Sequence, residues 1–178
     1  RLRTNSMPKD YLEKELPLQA KSSFIIISLV VALIINLFPL QEIVFLLRPD
    51  FVALTLLFWN INQPHQVGIS SAFVLGIIMD VCNSSILGQY ALAYCFMSFL
   101  AIILHRRLVL FSIFQQAPQI FWILLLTQLV IYIAGTLVGS YHSDWFFFLS
   151  SVTGALIWPV MALILGISQR PETDPNAL

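Results

Sequence analysis

The sequence predicts an all-α, polytopic membrane protein built as a compact bundle of six transmembrane helices. Two compositional facts and one pattern predict it. The chain is 58% hydrophobic and 10% charged, where a soluble domain carries about 25% charged residues. A soluble fold with so few charges could not cover its surface, so much of that surface is expected to face lipid. The pattern is a series of long apolar runs separated by short polar breaks. A spanning helix needs about 20 mainly apolar residues.

The first run, Ser22 to Leu40, carries no charge. No A-x-A-like cleavage site follows it and further apolar segments do, so it reads as a retained membrane helix rather than a cleaved leader. The second, Ile43 to Ile61, is interrupted by Arg48-Pro49-Asp50. It either spans with that triplet near one interface or dips in and returns. The remaining spans are Val67 to Cys82, Ile86 to Leu104, Gln119 to Gly139 and Trp145 to Gly166. Breakers separate them: Gln63-Pro64, Asn83-Ser84-Ser85, Ala117-Pro118 and residues 140–144. The expected organisation is a cytoplasmic N-terminal tail at 1–21, a six-helix membrane domain at 22–166 and a cytoplasmic C-terminal tail at 167–178.

Orientation follows from Lys and Arg near the span ends. Arg1, Arg3, Lys9, Lys14 and Lys21 precede the first span, Arg106 and Arg107 follow the fourth, and Arg170 follows the sixth. Six spans put all of these on the cytoplasmic side and leave Arg48 toward the outer side. Five spans would move Arg106 and Arg107 outside, so six is preferred. Nine basic and nine acidic residues balance to zero net charge, which removes the electrostatic basis for binding nucleic acid.

Lipid is as apolar as leucine, so membrane helices associate through small residues and interhelical hydrogen bonds. Candidate packing stripes are Ser28, Ala32 and Asn36; Gly68, Ala72, Gly76 and Asp80; Gly135 and Gly139; and Ser150, Gly154, Trp158, Ala162 and Gly166. Gly88, at the start of the fourth span, joins them. Trp59, Trp145 and Tyr141 lie near span ends, where aromatic rings favour the headgroup region. Cys82 and Cys95 fall in apolar runs, form no CxxC pair and read as packing residues.

Asp80 is the most expensive residue in the chain, since a centred Asp costs about 2.5–3.5 kcal/mol on insertion scales. Arg48 and Asp50 are expected on the same outer side, which brings all three into one candidate polar cluster with Gln89 nearby and Arg48 as the counter-charge. The bland alternative is charges that snorkel separately to the interface. Asn36, Gln89 and Gln128 read as interhelical glue. Residues 106–116, RRLVLFSIFQQ, form a candidate amphipathic segment along the cytoplasmic interface, or a loop with an incidental basic start. With His65 in its turn, Arg106, Arg107, Gln115 and Gln116 are candidate cytoplasmic docking residues. No HExxH, GxSxG, P-loop or GxGxxG occurs, and Asp80 lacks the YD and GxGD signatures of intramembrane aspartyl proteases. The chain is therefore expected not to be an enzyme, and neither a metal nor another cofactor is expected.

Several of these residues carry a resemblance. Arg48-Pro49-Asp50-Phe51-Val52-Ala53-Leu54 through Phe58-Trp59, then His65 and Gly68, resembles the front half of the MreD family. So does Gly76-Ile77-Ile78-Met79-Asp80 followed by Leu87-Gly88-Gln89-Tyr90-Ala91-Leu92, and the Gln115-Gln116 pair before span five. Each motif is short; in order and spacing they cover most of residues 22–166. The chain departs from the pattern at Asn83-Ser84-Ser85, where a glycine is expected in the turn. The resemblance implies a small protein of the bacterial inner membrane that partners MreC and works with MreB filaments, directly or through MreC. Its complex supports the glycosyltransferase RodA and its class B penicillin-binding partner in peptidoglycan synthesis along the lateral wall. The family is also similar in fold to the S-components of energy-coupling-factor transporters, six helices around an outward-facing pocket. That likeness keeps a second function open, a substrate-binding membrane subunit or small-molecule transporter.

Overall fold

The computed structural model describes residues 22–38, 48–138 and 148–167, and within them the chain is six α-helices. These are α1 (Ser22–Leu37), α2 (Phe51–Asn62), α3 (Ile69–Cys82), α4 (Gln89–Leu108), α5 (Ile113–Leu137) and α6 (Leu149–Gly166). Three of them, α4, α5 and α6, are long and apolar enough to cross a membrane; α1, α2 and α3 are shorter apolar helices. The β-branched residues that crowd α1 disfavour helix in water. In an apolar medium a helix satisfies every backbone donor and acceptor internally, and that requirement overrides propensity.

Helix α2 is the axis of the bundle. Residues 52–61 are all buried, which for a helix means apolar or paired neighbours on every side. It touches α1, α4 and α6, while α3, α4, α5 and α6 pack in sequence around it. Three contacts fix its direction against α1. Asn36 meets Asp50 at one end, Ser28 meets Trp59 midway, and Ser22 meets Gln66 at the other end. Helix α2 and its following turn therefore run the length of α1 in the opposite sense. Its 12 residues rise about 18 Å, so it is the shortest element in the centre of a taller ring.

The small-residue stripes lie only in part where helices touch, since Gly68, Gly88 and Gly166, expected as packing residues, have open space where a Cβ would stand. On α3, Ala72, Gly76 and Asp80 are buried against α4, and a Cβ on Gly76 would stand 2.3 Å from the Ala91 Cα. Gly68 caps the start of α3 and has open space where a side chain would be. On α6, Gly154, Trp158 and Ala162 are buried, with Ser151 and Leu165 beside them; Gly166 lies in the open. The nearest atom to a Cβ on Gly154 would be the flexible end of Leu124, at 2.8 Å. Gly135 is buried on α5, while Gly139 falls outside the described residues, as do the two tails, Trp145 and Tyr141.

Two expectations are corrected. Trp59 is not an interfacial ring. It is fully buried, donates Nε1–H to the Ser28 hydroxyl at 2.8 Å, and stacks edge-on against Phe24 and Phe58. Position along the span suggested a boundary, but the surrounding helices close over it. Ala117-Pro118 is likewise no break, because α5 begins at Ile113 and carries Pro118 in its second turn. At the sixth helical position it removes the donor for the Phe114 carbonyl, a local cost that the helix absorbs without ending. The reversal falls instead at residues 109–112, so residues 106–116 are a helix end, a turn and a helix start rather than a separate surface helix.

Candidate functional site

Both described carboxylates, the buried Asp80 and the partly buried Asp50, sit at the end of the bundle where α1 stops and α2 begins, here called the Arg48 end. Asp50 is the N-cap of α2: its side chain accepts the Ala53 N–H at 3.0 Å, and its extended backbone lets the helix start behind Pro49. The same carboxylate accepts the Asn36 amide at 2.8 Å and the Tyr94 hydroxyl at 2.5 Å. Asn36 in turn accepts the Phe51 N–H at 3.2 Å. One acidic side chain thus joins α1, α2 and α4.

Asp80 does the equivalent work for α3 and α4. It is fully buried, and its oxygens accept Tyr90 N at 2.7 Å, Gly88 N at 2.8 Å, Ala91 N at 3.4 Å and the Ser85 hydroxyl at 3.0 Å. Helix α4 starts behind Gly88, which has no side chain to cap it and adopts a left-handed φ of 102°. The orphan donors of its first turn are met by a carboxylate lent from the preceding helix. Negative charge at a helix N-terminus is also electrostatically favoured.

Arg48 makes its hydrogen bonds away from both carboxylates, although it lines the same cavity as Asp50. Its guanidinium donates to the Ile35 carbonyl at 2.6 Å and the Phe38 carbonyl at 3.1 Å, at the C-terminal end of α1. A cation there satisfies carbonyls that have no partner within the helix. Gln89 is also turned elsewhere, donating to the Ile131 carbonyl of α5 at 3.0 Å. Gln128 donates to Ser150 and accepts the Ser151 hydroxyl at 2.5 Å, tying α5 to α6. Asp50, Asp80, Arg48, Gln89 and Gln128 each join two elements, and such interhelical bonds give a helix bundle in an apolar medium its specificity.

Between these ties lies a cavity of about 150 Å³. Arg48, Asp50, Asn36, Tyr90, Gln128 and Ser150 supply its polar wall, and Ala53, Met79, Leu124 and Ile131 its apolar one. Its described lining gathers around the N-terminus of α2, with α1, α3, α4, α5 and α6 contributing residues. Arg48 and Asp50 therefore share the cavity, while the Asp80 side chain and Gln89 stand outside its lining. Among the described residues no group of His, Cys, Asp or Glu is arranged to hold a metal ion.

At the opposite end, called the Arg106 end, the expected docking residues divide. His65 lies exposed in the α2–α3 turn, and Arg106 and Arg107 are exposed at the end of α4. Gln115 instead closes onto the Ser112 N–H at 3.3 Å, a capping contact for α5. Gln116 donates to the Leu108 and Phe111 carbonyls, at 2.9 and 3.1 Å, and accepts the Trp158 indole N–H at 3.2 Å. It locks the α4–α5 turn onto α6.

Tyr94 was not legible as a site residue, although a tyrosine inside an apolar run must find a partner for its hydroxyl. The Asn60–Ser98 pair, both fully buried and bonded at 2.8 Å, was missed likewise.

The model of the family described as rod shape-determining protein MreD matches residues 19–167. A rod shape-determining protein MreD from Haemophilus influenzae is 27% identical over 138 residues, covering 76% of this chain and 84% of that protein. No solved structure matches the chain significantly. Apolar helices joined at each end by buried polar caps, in a sequence matched from before α1 to the end of α6, make this a membrane protein of the MreD family of rod shape-determining proteins.

Proposed function

We propose that this protein is a non-catalytic scaffold of the bacterial elongation complex. In this reading it crosses the inner membrane six times with both termini cytoplasmic. It binds MreC and supports cell-wall synthesis by RodA and the class B penicillin-binding protein, in register with MreB. The observation that carries the reading is how the polar groups are spent. Asp50, Asp80, Arg48, Gln89, Gln116 and Gln128 each bond to another element of the same chain. Such a bundle is suited to presenting fixed helix faces. The broad apolar exposure of α1, including Ile26, Val30 and Ile34, offers one such face. Co-purification of the tagged chain with MreC in mild detergent tests the proposal, and reproducible failure to recover MreC counts against it.

A second reading, a substrate-binding subunit of S-component type, is favoured by the cavity at the Arg48 end. A specific ligand raises the melting temperature in proportion to occupancy. Screening vitamins and wall precursors for that shift separates the two readings, since a pure scaffold responds to none.

A further inference from the structure

The Arg106 end, expected as a docking surface, carries an exposed pattern that names its occupant more closely. On α4 the exposed residues Leu92, Phe96, Phe99 and Ile103 recur at steps of four and three, so they form one stripe turned away from the bundle. Arg106 continues that spacing and Arg107 lies beside it; both are exposed. Beyond them the surface becomes apolar again, with Leu110 86% and Phe114 76% exposed and Phe111 also in the open. The Gln116 bonds to Leu108 and Phe111 hold this hairpin tip in one shape. Both acidic residues among the described ones, Asp50 and Asp80, belong to the opposite end, so neither neutralises the arginine pair.

We propose that the α4–α5 hairpin tip is a headgroup site for an anionic phospholipid. Arg106 and Arg107 hold the phosphate, and the exposed Phe114 ring lies beside it at headgroup depth. The depths agree. Arg106 stands about 4.5 Å beyond Ile103 along the helix, and the headgroup layer on each side of the hydrocarbon is about 5–8 Å thick. If the apolar stripe ends at the hydrocarbon edge, the guanidinium groups fall among the phosphates. Phe114 lies as far past the apex of the turn as Arg107 lies before it, which returns its ring to the same depth. The guanidinium fork matches phosphate oxygens in pairs. In a zwitterionic lipid the headgroup ammonium competes for that phosphate, so the site prefers a net anionic lipid. Two adjacent exposed guanidinium groups at headgroup depth, with no described carboxylate at that end, favour an anionic lipid as the occupant. The inference rests on the chain being in a membrane and not on its binding MreC.

Native mass spectrometry of the full chain in detergent, with dioleoylphosphatidylglycerol or dioleoylphosphatidylcholine added, tests it. The wild-type chain is expected to retain the glycerol lipid in preference to the choline lipid. The Arg106→Gln/Arg107→Gln pair is expected to lower glycerol-lipid retention about thirtyfold, and Arg107→Gln alone about fivefold, leaving the choline lipid little changed. Should the pair not fold, the single variant supplies the same readout. Equal glycerol-lipid retention by wild type and variants overturns the proposal, as does a parallel loss of both lipids. Unchanged lipid retention with loss of a co-purifying membrane protein also overturns it, and assigns the tip to that protein.

Discussion

Asp80 shows how an acidic side chain is kept inside an apolar span without a counter-charge in contact. Four donors converge on its oxygens, three of them backbone amides at the start of α4. Replacing it by Ala leaves those buried amides without acceptors, at about 1–3 kcal/mol for each one not rescued by water. Asp50 holds three donors and is only partly buried. Asp80→Ala is therefore expected to lower the melting temperature in detergent, and recovery of the folded complex, more than Asp50→Ala. Equal losses in parallel melts would show that burial does not rank the two sites. Ser84 makes a second residue-scale case. Its φ of 50° lies in the left-handed region, at the turn where the family resemblance leads one to expect glycine. A side chain there costs about 1–2 kcal/mol relative to its right-handed form. Ser84→Gly is expected to stabilise by up to about 1 kcal/mol, since the added flexibility of the unfolded chain offsets part of the gain. Ser84→Val, β-branched at the same φ, is expected to destabilise; chemical unfolding in mixed micelles compares them.

At the scale of elements, the contact between α3 and α4 is the one that backbone proximity decides. A Cβ on Gly76 would fall 2.3 Å from Ala91 Cα and 2.6 Å from its nitrogen, so even Ala must push the two helices apart. At Gly154 the nearest atom is the end of a leucine side chain, which can turn away. Gly76→Ala is therefore expected to cost several times as much stability as Gly154→Ala, and to weaken the Asp80 cap by separating it from α4. Thermal melts of the two variants, with hydrogen exchange of the Tyr90 and Ala91 amides, check both parts. A fast-exchanging Tyr90 amide in Gly76→Ala alone is the expected signature. The α4–α5 turn obeys a different logic, since Gln116 ties it to Trp158 on α6. A run of basic, apolar and amide residues reads equally as a surface helix or a hairpin; the amide's partner on a distant helix settles it as a hairpin.

For the whole molecule, the antiparallel run of α2 along α1 bears on topology. If every helix crosses, the turn at 62–66 and the turn at 83–85 lie on opposite faces of the membrane. Single cysteines placed there, in a chain lacking Cys82 and Cys95, are expected to react with an impermeant thiol reagent from opposite sides in oriented vesicles. Labelling of both from one side would remove the six-span topology and with it the placement of Arg106 and Arg107 in the cytoplasmic leaflet.

Apolar run length and the polar breaks between runs were enough to indicate an all-helical chain, its six segments and the absence of familiar catalytic motifs. Those properties depend on composition along the chain, because an apolar medium forces each segment to satisfy its own backbone. Partner choice was not legible in that way. The sequence directs Asp80 toward Arg48, yet three of its four donors are main-chain amides, which no composition reveals. Trp59 was read at a boundary, and Pro118 as a break, because position in a segment says nothing of what packs around it. Tertiary structure decided that α2 is the central and shortest post, that a cavity stands above it, and that Arg48 closes α1 instead of facing Asp80. Each of these is set by which helix lies beside which, and hydrogen bonds between helices depend on that neighbourhood rather than on sequence distance.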